Sequence, residues 1–400
     1  MRALVYRKSI PLYLLNWCLN LASPRRFYRQ LSPLRLQDVP FEPIAGWVVL
    51  KNRLCGICGS DLGLLKGTES FLLEPYGSFP AILGHEVLAE VVEAPSDSGF
   101  RPGERVVVEP TLPCRARGLA PCRFCAEGRT NLCESFTGGG LAPGPVLGFN
   151  ASAGGGMAEY MSAPAENLFR VPPHVPDERA VLADSLASAL QPVLDHFPED
   201  GQKVVVYGLG IVGQHILRLL RALGARCRIV AVARHPFQRE LALSGGADAA
   251  LINPQRAELG ECIGAVLLPT TLGGGNLEGG VDLFFDCVGS AHSFQEGLLA
   301  LRGGGTYVLV ATAARLSGVD VSSIWFRELK VTGSMAYAYG EYRGERVRTY
   351  ALAADLLCRD DYPCEGLLSH VLPISEYGAA FQAAMDKKRS RSVKVALDVR

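Results

Sequence analysis

The 400-residue sequence has no apolar run long enough to cross a bilayer, no excess of charge and no internal repeat. Each absence removes a class of protein. A spanning helix needs about twenty consecutive apolar residues, and the best candidate, Ile10 to Leu21, stops short of that. No transmembrane segment is therefore expected. Lys and Arg together number 40, as do Asp and Glu, so the basic footprint of a nucleic-acid binder is missing and no such partner is expected. A small neutral molecule is the easier partner to reconcile with this balance. Repeat arrays and low-complexity segments are excluded as well.

Cysteine, by contrast, is plentiful. Twelve occur, several in C-x-x-C spacing, which in a large chain points to reduced thiols and metal ligation, and hence to the cytoplasm, rather than to a secreted disulfide scaffold. The length suits two domains. Near the start, Ala3-Leu4-Val5-Tyr6 reads as a strand and the segment after it as a helical insertion, packed on the surface or at a subunit contact. A cleaved signal peptide is one alternative reading of that segment, and peripheral membrane contact through Arg25, Arg26 and Arg29 is another.

Between Trp47 and Pro110 short β-rich runs (WVVLKNRLC, VLAEVVEA, ERVVVEP) alternate with Gly and Pro, the pattern of a β-rich domain without long helices. A cysteine-rich loop and a glycine-rich stretch follow. Leu182, Leu186, Ala189, Leu190 and Val193 then recur at helical spacing, and Pro192 is expected to kink or end that helix. From Gln202 strands alternate with helices (KVVVYG, RIVAVA, AALIN, VDLFFD, TYVLVA, LKVTGS), which implies βαβ units and a doubly wound parallel sheet. The remainder, ending in VKVALDV, is expected to return to the first domain.

The strand Val204–Tyr207 runs into Gly208-Leu209-Gly210-Ile211-Val212-Gly213 and then into a helical pattern. In that context the glycines form a dinucleotide-binding turn. Gly208 allows the tight bend, Gly210 admits the pyrophosphate, Gly213 lets helix and strand touch, and Ile211 and Val212 open the helix on whose N-terminus the phosphates rest. NAD-preferring sites place an acid about twenty residues beyond the fingerprint to hold the ribose hydroxyls. Here Ala233 is followed by Arg234, which fits a 2′-phosphate, so NADP(H) is favoured over NAD(H).

Cys122, Cys125 and Cys133, with Cys114 upstream, have the spacing of a four-thiolate zinc site, which leaves no open coordination position and so holds a loop together. Cys55 and Cys58, followed at a distance by Gly84-His85-Glu86, are less decisive. Read alone, they fit a catalytic metal, a structural knot or buried thiols.

With these pieces assembled, the chain resembles the zinc-dependent medium-chain alcohol dehydrogenases, in the polyol and threonine dehydrogenase-like branch. The matching stretches are GICGSD (Gly56 to Asp61), GHE (Gly84 to Glu86), the lobe 114–133, GGGMAEY (Gly154 to Tyr160), VVYGLGIVG (Val205 to Gly213) and FDCVG (Phe285 to Gly289). The resemblance implies an α/β chain in which a GroES-like, β-rich catalytic domain (1–192 and 334–400), split in sequence, encloses a Rossmann domain (193–333). It implies catalytic zinc on Cys58, His85 and Asp184, with Glu86 as an alternate ligand and Asp61 orienting the imidazole. It also implies structural zinc on Cys114, Cys122, Cys125 and Cys133. Zinc would act as a Lewis acid on a substrate oxygen, Ser60 would pass the proton towards solvent, and hydride would move between a nicotinamide and an alcohol, polyol, aldehyde or ketone. A homo-oligomer, dimer or tetramer, is expected.

Three departures stand out. Many relatives carry a histidine five residues after the cysteine ligand to end the proton relay, but here the residue is Gly63. Cys114 lies farther from Cys122 than is common, which puts its role as a ligand in doubt. The insertion from roughly residue 8 to 30 is the third. Two competing functions remain at this stage: a zinc-independent reductase of activated C=C bonds, and a nucleotide-binding relative without catalysis.

Overall fold

A computed structural model describes all 400 residues. Its larger β-sheet has seven strands. In spatial order these are Leu368–Pro373, Lys394–Asp398, Val48–Gly56, Glu86–Glu93, Arg105–Val108 and Leu168–Arg170, with Tyr160–Ala163 pairing the other side of Val48–Gly56. Two of these strands come from the C-terminal part of the chain, so the sheet is assembled from segments far apart in sequence. Alternating Val and Leu on Val48–Gly56 and Glu86–Glu93 supply the core on its inner face.

The second sheet is six-stranded and parallel, in the order Ala249–Ile252, Arg228–Ala233, Lys203–Tyr207, Val281–Asp286, Leu301–Leu309 and Lys330–Gly333. Strand order reverses between Lys203–Tyr207 and Val281–Asp286, and the crevice beyond their carboxyl ends is where such sheets bind ligands. Apolar residues on both of its faces join separate core clusters, one of which continues onto the helices Ala183–Asp195 and Thr349–Cys358. A small antiparallel sheet of Leu34–Asp38, Arg2–Tyr6 and Ala81–Ile82 completes the β-structure near the N-terminus.

The helix Ala183–Asp195 runs three residues past Pro192 instead of ending there. A proline removes a single helical hydrogen bond, and the apolar face formed by Leu186, Ala189, Leu190 and Val193 is fully buried, so tertiary packing outweighs that loss. The insertion folds as the helix Ile10–Ala22 and packs against Gly59–Lys66. No helix is long and apolar enough to cross a membrane.

Candidate active site and cofactor cleft

Cys58 sits where the strand Val48–Gly56 gives way to the helix Gly59–Lys66. The turn is pinned from two sides: the Ile57 amide donates to Val395 O at 2.9 Å, and the Cys58 amide donates to Asp61 Oδ2 at 2.9 Å. His85 and Glu86 lie at the start of the neighbouring strand. Their position depends on the glycine-rich run, whose Gly156 and Met157 amides bond Gly84 O and Leu83 O. A Cβ on Gly155 would stand 2.4 Å from Gly84 O, so only glycine allows this approach.

The ligand atoms of Cys58, His85 and Glu86 lie within 4.8 Å of one another. Asp184, in the first turn of Ala183–Asp195, is outside that tight group. Its carboxylate accepts a hydrogen bond from the buried Tyr337 hydroxyl. The Tyr337 segment is in turn fastened to the same helix, because Ala338 N donates to Gln191 Oε1 at 2.9 Å. Glu86 is also committed elsewhere, in a buried ion pair with Lys394, whose ammonium donates to Ile57 O at 3.1 Å as well. A Cβ at Gly56 would collide with the Glu86 carboxylate.

The electrostatics of this pocket suit a cation. Burial pulls the His85 pKa down, but Cys58, Asp61 and Asp184 outweigh it and leave the imidazole well above its usual range. Burial lifts Asp184 to about 6, even though His85 opposes the shift. His85 Nδ1 and Asp61 Oδ1 are both buried with no hydrogen-bond partner. A thiolate, an imidazole and buried carboxylates of this kind are a donor set that fits zinc.

Ser60, half-buried on the first turn of its helix, lies beside Cys58. Gly63, one turn on, is covered by Glu69: the carboxylate Oε1 would stand 3.4 Å from a Cβ built at Gly63. Burial, and then the charge of Asp61, raise Glu69 to about 7. Nothing in the local sequence marked Glu69, which reads as an ordinary loop acid.

In the lobe, all four sulfurs of Cys114, Cys122, Cys125 and Cys133 lie within 4.8 Å of one another. Amides of Cys122, Glu134 and Ser135 point at the sulfurs of Cys114, Cys122 and Cys133 at 3.3, 3.5 and 3.3 Å. Burial opposes ionisation of Cys122, yet amide bonds led by Glu134 bring it down to about 6. The extra length after Cys114 forms the short turn Arg115–Arg117. Arg117 is buried there and donates to five backbone carbonyls, those of Leu112, Gly138, Leu141, Ala142 and Gly144.

Across the cleft, Gly210 caps the helix Ile211–Ala222, which opens with Ile211 and Val212, and Gly213 packs so closely that its Cβ would stand 2.1 Å from Gly208 O. Asp286 shapes the adjoining loop by accepting from the amides of Val288 and Gly289 at 2.8 and 3.0 Å. Two family signatures match this architecture: "Alcohol dehydrogenase GroES-like domain" over residues 44–173 and "Zinc-binding dehydrogenase" over residues 212–351. The chain belongs to the zinc-dependent medium-chain alcohol dehydrogenases. It is 27% identical to D-xylulose reductase A of Aspergillus oryzae over 92% of this chain and 95% of that one. It is 26% identical to L-threonine 3-dehydrogenase of Aeromonas salmonicida over 90% and 94%. Among solved structures, a zinc-binding dehydrogenase of Sinorhizobium meliloti bound to NADP superposes with a TM-score of 0.70 at 26% identity, covering 91% and 95%. This member of the family is thus a zinc-dependent oxidoreductase of the polyol and threonine dehydrogenase branch that uses a nicotinamide cofactor.

Two cations at the cleft were not legible as cofactor residues. Lys387 Nζ would lie 3.8 Å from a Cβ built at Gly210, directly over the phosphate turn. Burial, then Lys394 and Lys66, lower its pKa to about 8. Lys66 ends the helix that begins beside Cys58 and is depressed by burial and by Arg234. Lys387 sits in the charged run Asp386 to Arg389, and Lys66 is a lone cation after Leu64 and Leu65, so neither stands out in the sequence. Arg234 itself is exposed just beyond Ala233, with its backbone amide on Gln238 Oε1.

Proposed function

We propose that the enzyme interconverts an alcohol or polyol with its aldehyde or ketone and prefers NADP(H) to NAD(H). The observation that carries the preference is the end of strand Arg228–Ala233, where the exposed Arg234 follows Ala233 in place of an acid while Lys66 and Lys387 add positive charge across the cleft. A 2′-phosphate supplies the missing anion, whereas the ribose hydroxyls of NAD(H) would find no acid. The NADP in the Sinorhizobium meliloti relative is compatible with a 2′-phosphate in this fold.

Cys58, His85 and Asp184 would hold zinc, with Glu86 as an exchange ligand that must first leave Lys394; the ion supplies Lewis acidity at the substrate oxygen. Asp61 steadies the turn that carries Cys58. Ser60 and Gly63 share a helix face three residues apart, so a proton leaving the substrate oxygen through the Ser60 hydroxyl has the Glu69 carboxylate as its next base. Glu69 would then take the role that the relay histidine holds in the relatives that carry one. Cys114, Cys122, Cys125 and Cys133 would hold a second zinc that closes the lobe. The division into 1–192 with 334–400 and 193–333 puts both zinc sites in one domain and the fingerprint in the other. The unpaired thiols suit the cytoplasm. The exposed Trp325 and Phe326 are a ready contact for a second copy of the chain.

The test is cofactor oxidation by the zinc-loaded enzyme against a panel of aldehydes and ketones, with NADPH and NADH in parallel. Turnover faster with NADPH, abolished by a chelator and by Cys58→Ser while cofactor binding persists, is the expected result. Equal kcat/KM for the two cofactors would remove the NADP(H) preference, and unchanged turnover in Cys58→Ser would remove the zinc assignment.

A further inference from the structure

We propose that the helix Ile10–Ala22, with the turn Phe71–Tyr76 beside it, is a docking face for an anionic lipid membrane surface, on which the enzyme lies without crossing the bilayer. The helix is inside out. It contains no charged residue, and its single buried residue is Asn16, whose amide donates to Leu12 O and Leu31 O at 2.7 and 2.9 Å. Ile10, Leu14, Trp17 and Leu21 recur at helical spacing and point outward, with exposures of 69, 52, 45 and 67%. A stripe of that kind facing water is destabilising unless something covers it.

The face continues beyond the helix. Tyr13 and Phe71 meet with ring centroids 5.6 Å apart, and Phe71, Leu72 and Leu73 are all exposed. Charge indicates the occupant. Although the whole chain is neutral, seven cations between Arg2 and Arg35 precede its first acid, Asp38. Arg7, Arg25, Arg26 and Arg29 are exposed in the segments that flank the helix at its two ends, Arg29 stacking on Tyr377, and Lys8 neutralises Glu74 on the face. An outward apolar stripe with a tryptophan and a basic rim is the composition of a helix that lies in the headgroup region of an anionic bilayer. Thirteen residues span about 20 Å, too short to cross and sufficient to lie flat. Two copies meeting through this same face would set the basic rims against each other, so a second chain is the poorer fit.

The face also lies close to the chemistry. Tyr13 donates its hydroxyl to Gly67 O at 2.8 Å, so only the helix Gly59–Lys66 separates the proposed lipid contact from Cys58.

Flotation of the zinc-loaded full chain with vesicles tests this, using phosphatidylcholine alone and phosphatidylcholine mixed with phosphatidylglycerol. Binding to the mixed vesicles alone, weakened by salt and accompanied by a blue shift of Trp17 emission that disappears in Trp17→Phe, is expected. Replacing Arg25, Arg26 and Arg29 together by Gln should lower partitioning on the order of a hundredfold. Leu14→Ser with Trp17→Ser, both at exposed positions, should abolish binding while turnover in solution is retained. Absence of flotation with either vesicle overturns the proposal, as does equal binding to both that ignores salt and the arginine changes. So does a wild-type dimer that Leu14→Ser with Trp17→Ser dissociates without any vesicle binding, which would make the face an interface between copies.

Discussion

Arg117→Met isolates what holds the cysteine lobe in shape. The native guanidinium donates to five carbonyls, and of these only Ala142 O has another donor, Asn150 Nδ2. Methionine fills much of the volume and supplies no donor, so the carbonyls of Leu112, Gly138, Leu141 and Gly144 lose their partner. Three of the four belong to buried residues, and an unsatisfied buried acceptor costs about 1–3 kcal/mol. With some relaxation and water entry, about 4 kcal/mol is a reasonable sum, or roughly three decades in the equilibrium for opening the lobe. The assay is the rate of zinc transfer to a chromogenic chelator, in a Cys58→Ser background so that the lobe is the main source. Arg117→Met should release zinc about a thousandfold faster, and Arg117→Lys, which keeps the charge but not the planar fork, should fall between. Release rates for Arg117→Met within a few-fold of those for the protein that keeps Arg117 would refute the idea that these hydrogen bonds govern lobe opening.

Arg234→Ala should weaken NADPH by about ten- to a hundredfold, as loss of a charge-assisted contact does, and leave NADH nearly unchanged in binding titrations; equal losses would end its role as the 2′-phosphate reader. Lys387, lowered to about 8, is protonated below that pH, where it attracts the cofactor phosphates, and loses its charge as pH rises through it. Cofactor affinity should therefore fall above about pH 8 with proton uptake on binding, and Lys387→Met should flatten that dependence in calorimetry run in buffers of different ionisation enthalpy. Glu69, raised to about 7, must be ionised to accept a proton, so alcohol oxidation should rise through neutral pH. In pH-rate profiles Glu69→Gln should lose that limb and Glu69→His should restore one; a Gln variant with the native profile would exclude Glu69 from the proton path.

Much of this was legible in the sequence because it is local. Alternating apolar residues announced the strands, and the spacing of Gly208, Gly210 and Gly213 after a buried strand announced the cofactor turn. What escaped was pairing across long stretches of chain. Lys394 is one basic residue near a run of others, and only the antiparallel pairing of its strand with Val48–Gly56 brings its ammonium to Glu86. Tyr337 meets Asp184 because Gln191 binds the backbone of both Ala338 and Tyr339, a contact with no periodic signature. Glu69 could not be paired with Gly63 from sequence, since the missing side chain and the group that fills its space sit on different turns. The helix Ile10–Ala22 was legible as a helix, but its outward apolar face was not, because periodicity shows that a stripe exists without showing which way it points.

The ion pair between Glu86 and Lys394 has a consequence for how the protein is made. Glu86 emerges from the ribosome long before Lys394 has been synthesised, and until then its carboxylate lacks the ammonium that pairs with it in the finished sheet. Domains tend to fold as units during synthesis, and the parallel sheet, contiguous in sequence, can do so while the split sheet waits. The arrangement that sets Glu86 beside Cys58 and His85 is complete only once the strand Lys394–Asp398 has joined the sheet. A nascent chain stalled before Lys394 would present a cofactor cleft with only one finished wall.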